Sequence, residues 1–380
     1  MRAEKPLQLA EGGLRTQGAC EDCLRRCWLL AELSAQLDHC SRDRSRLIAL
    51  LALDDRELVQ AIGGRRKMEL GARYAQFDRS ELRWAKGVEA VCRHDRRYPR
   101  TLRYERAPRL LNVAGGVERL GELTTAPVVA IVGSRRASDY GMEVAKSFAR
   151  GLAASGVTVT SGLTDGIAVA AHSGALEVEG RTVAVMTGGL DVACPASRRS
   201  LYERLRRGGC AVAELPCGAP ARRWGQIVGD WSLAGLAELT VVVEAQETLA
   251  ELAGARMARD LRRTVAAVPG RVTSPLSRGT NALLMGEASL VREPEDVLEL
   301  LFPMGPPPPR SAKDVHAALE PRLQATLARV ATGLDTPDKL TGKGEDAGAV
   351  LLALSELELM GLLARGDGGR YVLRGAPPAS

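Results

Sequence analysis

The sequence contains no run of about eighteen apolar residues and no basic start followed by an apolar core. Neither membrane spanning nor secretion is therefore expected, and the cytoplasm is the default compartment. Two nucleotide signatures are also missing. No glycine-rich dinucleotide fingerprint follows a strand, and Gly342-Lys343-Gly344-Glu345 lacks the leading glycine and trailing Ser/Thr of a Walker loop. No nucleophile or paired acid stands out near His172 in the sequence. His172 is a lone helical histidine, a type that is usually structural, and Asp165 and Asp191 offer a general acid and base but sit where aspartate mostly serves caps and turns. The expectation is a protein without catalysis and without a cofactor. Internal repeats are absent. The eight cysteines, in a chain without an export signal, read as reduced thiols.

The chain is long enough, at 380 residues with 45% hydrophobic content, to bury a sizeable core and to form two or three domains. The net charge of +6 permits an anionic partner without requiring one. Its distribution is more informative: Arg56 to Arg109 holds fifteen Lys/Arg against seven Asp/Glu, a local excess of +8. Such a stretch suits either a phosphate backbone or a solvated helical surface.

Residues 1–92 read as a helical N-terminal domain, with helical spacing in Cys27 to Leu33 and Leu47 to Leu53 and no strand pattern interrupting it. Residues 93–109 read as an extended basic arm that opens a core reaching residue 302. Within that core, short β-branched runs alternate with amphipathic stretches: Val128 to Val132, Val157 to Thr160, Thr182 to Met186, Ala211 to Glu214, Leu239 to Val243 and Thr264 to Val268. Runs apolar on both faces belong in a parallel sheet covered by helices, so the expected fold class is α/β, Rossmann-like and doubly wound. Leu110 to Val113 and Ser289 to Val291 are candidate edge strands. Residues 303–312 form a Pro-rich linker. Residues 313–375 hold helical stretches at Leu319 to Val330 and Gly348 to Leu363, then a hairpin signal at Gly366 to Gly369, the order of a small winged helix.

Three strand-to-helix junctions carry the candidate site. Val129 to Val132 runs into Gly133-Ser134-Arg135-Arg136, with a helix expected from Ser138 or Asp139. Backbone N–H groups and the helix dipole favour an anion there, and Arg135 adds a planar fork for phosphate. The plainer reading is that Gly133 only lets the chain turn. Gly162, in Ser161 to Gly166, and Gly188 and Gly189, before Leu190-Asp191, occupy equivalent junctions. Together these loops form a cradle for a linear polyanion at the carboxyl ends of the strands. Cys20, Cys23 and Cys27, with His39 and Cys40, have Cys-x-x-Cys character. One pair is a weaker zinc signal than two, so cysteines packed inward beside Trp28 are expected, with zinc on Cys20, Cys23, Cys27 and Cys40 as the alternative. Cys92, Cys194, Cys210 and Cys217 show no ligand spacing.

The stretch Val128 to Val297 resembles the DNA-processing protein A family, also called DprA or Smf. The resemblance rests on Ile131 to Arg135, Ser161-Gly162-Leu163, Ala171-His172, Gly188 to Val192, Glu214-Leu215-Pro216, Arg223-Trp224, Val268-Pro269-Gly270 and Ser274 to Asn281. His94 to Pro99 is similar to the family's leading segment. Leu354 to Glu358 with Gly369 to Val372 is similar to its winged helix. Membership implies a Rossmann-like single-stranded-DNA binder for natural transformation and recombination, loading a RecA-type recombinase, usually as a homodimer, with no reaction catalysed. It also implies that Gly133, Ser134 and Arg135 hold backbone phosphates, helped by Arg136 and by Arg256. The sequence departs from the pattern at Asp165 and Ala168, at Gly229-Asp230-Trp231 in place of Arg-Asn-Arg, and at Leu249-Ala250-Glu251 in place of a small polar nest. These changes remove cations and add carboxylates, which leaves a second expectation open: a paralogue that keeps the fold as a protein-interaction or small-anion scaffold. Trp231 has two readings, stacking on a base or packing.

Overall fold

The computed structural model describes residues 18–302 and 320–373, apart from 105–106, 179, 192–195, 249, 287, 333, 342–345, 360–362 and 366–369. The Pro-rich linker, the Gly366 to Gly369 turn and Gly342 to Glu345 lie outside the described residues. The chain divides into two compact units, residues 1–304 and 305–380.

Among the described residues, the first unit opens with five α-helices, α1 Glu21–Glu32, α2 Ser34–Cys40, α3 Arg44–Ala52, α4 Asp55–Ile62 and α5 Lys67–Ala75. Local chemistry starts them. Asp43 accepts the N–H of Arg46 at α3, and Asp54 with Glu57 forms a reciprocal capping box at α4. The helical layer is fixed to the sheet by apolar packing: Leu24, Leu29, Leu33 and Leu37 share one core with Leu110, Leu215, Trp224 and Val228. A buried ion pair, Arg26 to Asp55 at 2.6 Å, is completed by the Tyr74 hydroxyl donating to the same carboxylate.

Nine strands of the described residues form one sheet in the order β1-β2-β6-β5-β4-β3-β7-β8-β9. They are β1 Val88–Cys92, β2 Leu110–Ala114, β3 Val128–Val132, β4 Thr158–Gly162, β5 Thr182–Met186, β6 Cys210–Ala213, β7 Leu239–Val242, β8 Thr264–Ala267 and β9 Ser289–Leu290. Pairing is parallel from β6 through β9 and antiparallel at β1–β2 and β2–β6. The α/β expectation is met: the β-branched runs of β3, β5, β7 and β8 lie in the parallel sheet, buried on both faces. Two details differ. β1 interrupts the stretch read as purely helical, because Val88, Ala90 and Cys92 alternate with Glu89 and Val91 over too short a span to stand out. β2 is an inner strand, since β1 covers the edge it would have exposed.

Eight further α-helices of the unit lie among the described residues: α6 Val117–Thr125, α7 Asp139–Ala154, α8 Ile167–Ala175, α9 Ala196–Gly208, α10 Arg223–Leu236, α11 Ala253–Asp260, α12 Arg278–Leu284 and α13 Pro294–Leu301. The strand order reverses direction at β3, whose neighbours are β4 and β7, making the β3/β7 boundary the topological switch point. The second unit has helices Pro321–Ala331, Pro337–Leu340 and Ala347–Leu359, followed by antiparallel strands Leu363–Arg365 and Tyr371–Leu373 around a core of Leu323, Leu327, Leu354, Leu357 and Tyr371. No helix of the described residues is long and apolar enough to cross a membrane.

Candidate anion site at the switch point

A cavity of about 650 Å³ opens at the carboxyl ends of the parallel strands. Val132, Gly133 and Arg135 reach it from β3, Ser161 and Gly162 from β4, Thr187 from β5, Ala250 and Glu251 from the β7–α11 connection, and Gly254 from α11. Arg42, between α2 and α3, Arg44, which starts α3, and Arg223, which starts α10, complete its rim. The cavity thus gathers four guanidinium groups against the carboxylates of Asp230 and Glu251. None of the four arginines forms a salt bridge among the described residues. Burial pushes Asp230 up to about 6, against the lowering pull of Gln226, Arg44 and Arg135.

The β3–α7 junction has the expected geometry, with Ser138 capping α7 by accepting the N–H of Gly141 at 3.1 Å. Its anion position is filled from inside the protein. Glu244, which follows β7, accepts the Ser138 N–H at 2.9 Å and its hydroxyl at 2.7 Å. This carboxylate takes the place at the helix N-terminus that a phosphate was expected to take. Two glycines make room for it. A Cβ on Gly141 would lie 2.3 Å from Glu244 Oε2, and one on Gly133 would lie 2.5 Å from the Glu244 carbonyl oxygen. Gly133 therefore serves strand approach as well as turning.

Of the residues singled out in the sequence, Gly133, Arg135 and Gly162 line the cavity. Arg136 is exposed beside it in sequence. Ser134 is buried: its N–H donates to Glu244 O at 2.6 Å and its hydroxyl faces Glu251 Oε1 at 3.4 Å. Glu251 also accepts the Gln246 N–H at 2.7 Å, so it holds the loop as it adds charge. Gly188 and Gly189 lie off the cavity, packed against the 216–221 segment, and the Gly189 N–H is spent on Ala219 O at 2.8 Å. Arg256 is exposed on α11 outside the lining. Asp165, the charge reversal, is paired with Arg198 at 3.2 Å. Asp191 accepts the Gly218 N–H in a turn. Trp231 packs with Val242, Ala245 and Leu252.

Sequence reasoning missed Arg42 and Arg44, which lie about ninety residues before β3. Much of the basic stretch it favoured is consumed internally. Arg66 pairs with Glu32 and Glu69, Arg73 with Glu81, Arg97 with Asp95 and Glu118, and Arg93 is half-buried with its guanidinium donating to Ala107 O.

His172 is fully buried, Nε2 donating to Gly162 O at 2.9 Å and Nδ1 facing the Thr182 hydroxyl at 2.7 Å. Burial lowers it from 6.5 to about 4, so it is neutral at pH 7 and unsuited to proton transfer there. Because the folded state resists the proton, its stabilisation is complete above pH 6.5 and is lost as pH falls towards 4, on the order of 3 kcal/mol. His172→Gln is expected to flatten the stability profile between those pH values, measured by urea unfolding. A slope unchanged from the parent would show that other groups govern acid sensitivity.

The cysteines divide differently from the sequence grouping. Cys20 and Cys23 come together with Cys92 and His94. Cys27, one helical turn further along α1, turns its thiol to Glu214 O at 3.3 Å, and Cys40 is buried in the helical core, so neither joins them. The seven described cysteines form no disulfide.

A doubly wound sheet with a cationic, carboxylate-edged cavity at its switch point places the protein among Rossmann-like folds whose candidate ligand is anionic. A model of the family described as DNA recombination-mediator protein A matches residues 89–302. A Mycobacterium tuberculosis (strain H37Rv) protein assigned the name DNA processing protein DprA is 35% identical over 336 residues, 84% of this chain and 84% of that protein. Protein Smf of Escherichia coli K12 is 35% identical over 257 residues, 65% of this chain and 68% of that protein. The X-ray structure of DNA processing protein A (DprA) from Streptococcus pneumoniae superposes with a TM-score of 0.58 at 27% identity, covering 74% of this chain and 98% of that one. The chain belongs to the DNA recombination-mediator protein A family, the DprA/Smf proteins.

Proposed function

We propose that this protein is a DNA-processing protein that binds single-stranded DNA and catalyses no reaction. The phosphate chain crosses the switch-point cavity, held by Arg42, Arg44, Arg135 and Arg223. The observation that carries this reading is the convergence of these four arginines, free of salt bridges among the described residues, on one cavity. Backbone at Gly133 and Gly162 lets the strand approach, and Arg136 lies on its path. Ser134, Gly188, Gly189 and Arg256 act indirectly or outside this contact. Among the described residues no aromatic side chain lines the cavity, so binding is led by phosphates and insensitive to base sequence. Arg42 and Arg44 stand in for the cations that Gly229-Asp230-Trp231 and Glu251 displace. The names of the relatives, DNA processing proteins, support the same class of ligand. Action in natural transformation, assembly as a homodimer, loading of a RecA-type recombinase and a winged-helix role for residues 313–375 are the finer parts of this proposal. They rest on the family resemblance.

The test is fluorescence anisotropy of the protein with a labelled oligo-dT at several salt concentrations. Four neutralised phosphates give an expected slope of about −3 in log K against log salt, at about −0.7 per contact on a single strand. Absence of binding even at low salt would instead support the scaffold reading, which the carboxylates Asp230, Glu244 and Glu251 favour.

Asp230 adds a pH signature. Protonation near pH 6 removes a negative charge from the cavity, so affinity is expected to rise as pH falls from 7.5 to 5.5. Asp230→Asn should bind roughly fivefold more tightly at pH 7.5, equivalent to about 1 kcal/mol for one unit charge at 4 Å in high dielectric. It should also lose most of the pH dependence. Equal affinity of parent and variant across that range would remove Asp230 from the site.

A further inference from the structure

We propose that Cys20, Cys23, Cys92 and His94 form a closed structural zinc site that joins the N-terminal helices to the sheet. Cys20 is the N-cap of α1 and Cys23 lies in its first turn, so the two thiols face one side of the helix start. Cys92 ends β1, and His94 follows in a turn closed by the Asp95 N–H donating to Cys92 O at 2.8 Å. Topology therefore brings Cys-x-x-Cys and Cys-x-His together across about seventy residues of chain.

The geometry suits one ion. Nδ1 of His94 lies 3.4 Å from Cys20 Sγ, 3.6 Å from Cys23 Sγ and 3.9 Å from Cys92 Sγ, and all four ligand atoms lie within 4.8 Å of one another. Tetrahedral zinc, with bonds of about 2.3 Å to sulfur and about 2.0 Å to nitrogen, sets neighbouring ligand atoms about 3.5 to 3.8 Å apart. The three sulfurs are buried and His94 is half-buried, leaving no open position of the kind a catalytic metal needs. The Cys20 N–H donates to Cys92 Sγ at 3.4 Å, the outer-shell hydrogen bond that orients a thiolate ligand. Three soft thiolates and one imidazole select zinc over hard cations, and the spread of the ligand atoms holds a single ion. On binding, the thiols release their protons to solvent. The ion ties α1 to β1, and α1 continues into the α2–α3 segment that carries Arg42 and Arg44.

The test uses the full-length protein, purified in reductant without chelator, with zinc measured by mass spectrometry. About one equivalent is expected. Exchange for cobalt should give thiolate-to-cobalt charge-transfer absorption and the visible bands of a tetrahedral ion. Cys23→Ser and Cys92→Ser should each lower occupancy severalfold, whereas Cys40→Ser and Cys210→Ser, thiols outside the cluster, should retain full occupancy. If a serine variant does not fold, the cobalt spectrum of the parent decides alone. Failure of the reduced parent to bind added zinc, a cobalt spectrum without thiolate bands, or zinc lost in Cys40→Ser but kept in Cys92→Ser would each overturn the site. None of these readouts depends on DNA binding.

Discussion

Replacing Arg44, Arg135 and Arg223 together by alanine is expected to lower affinity for oligo-dT on the order of 10²-fold at low salt. The salt slope should flatten by about 2, since each lost phosphate contact removes about 0.7. The three side chains come from separate elements, the start of α3, the β3–α7 turn and the start of α10, and meet only at the cavity. They are exposed or half-buried and form no salt bridge among the described residues, so their removal should leave the unfolding midpoint nearly unchanged. Arg207→Ala is the matching control: exposed on α9, it precedes β6 and so belongs to the opposite edge of the sheet. Parallel salt titrations of parent, triple variant and control decide the matter. If the triple variant keeps both affinity and slope, the DNA path lies elsewhere on the protein.

Trp224→Ala carries the largest expected effect on stability. The side chain is 1% exposed and fills the core shared by α10 and the N-terminal helices. Its indole N–H donates to the Ser34 hydroxyl at 2.9 Å, and its backbone N–H donates to Asp38 Oδ1 at 3.3 Å. Truncation leaves a large cavity, costing about 3–5 kcal/mol, and deprives the buried Ser34 hydroxyl of its partner. Chemical unfolding measures the total. Trp224→Phe, which keeps most of the packing and loses the indole N–H, should cost much less. Equal losses for both variants would mean that the hydrogen bond dominates over packing. Because α2 packs on α10, the alanine variant should also weaken DNA binding by displacing Arg42 and Arg44.

The sheet was legible because its parallel strands are buried on both faces and leave unbroken β-branched runs, bounded by glycine turns. β1 was not, since five residues that alternate weakly after a helical stretch give no periodic signal of their own. The site was half legible. Gly133, Arg135 and Gly162 belong to one local pattern, strand into turn into helix, and a pattern can be read along the chain. Arg42 and Arg44 could not be found that way, because what makes them part of the site is the packing of α2 on α10. The same holds for Glu244: nothing in its local sequence says that it caps a helix more than a hundred residues earlier. Cys92 and His94 did offer a signal, a second short ligand pair, but it becomes meaningful only when β1 is placed beside α1.

The seat of Glu244 bears on selectivity between free nucleotides and a polymer. A pyrophosphate entering this fold where dinucleotides usually dock would meet a fixed carboxylate, already satisfied by Ser138, at the mouth of α7. Small phosphate esters, which rely on that one strong position, are expected to bind poorly there. A polymer, on the proposed function, would draw instead on several weaker cations spread along the rim. On the proposed function, an internal acid would thus make the response of this site depend on chain length.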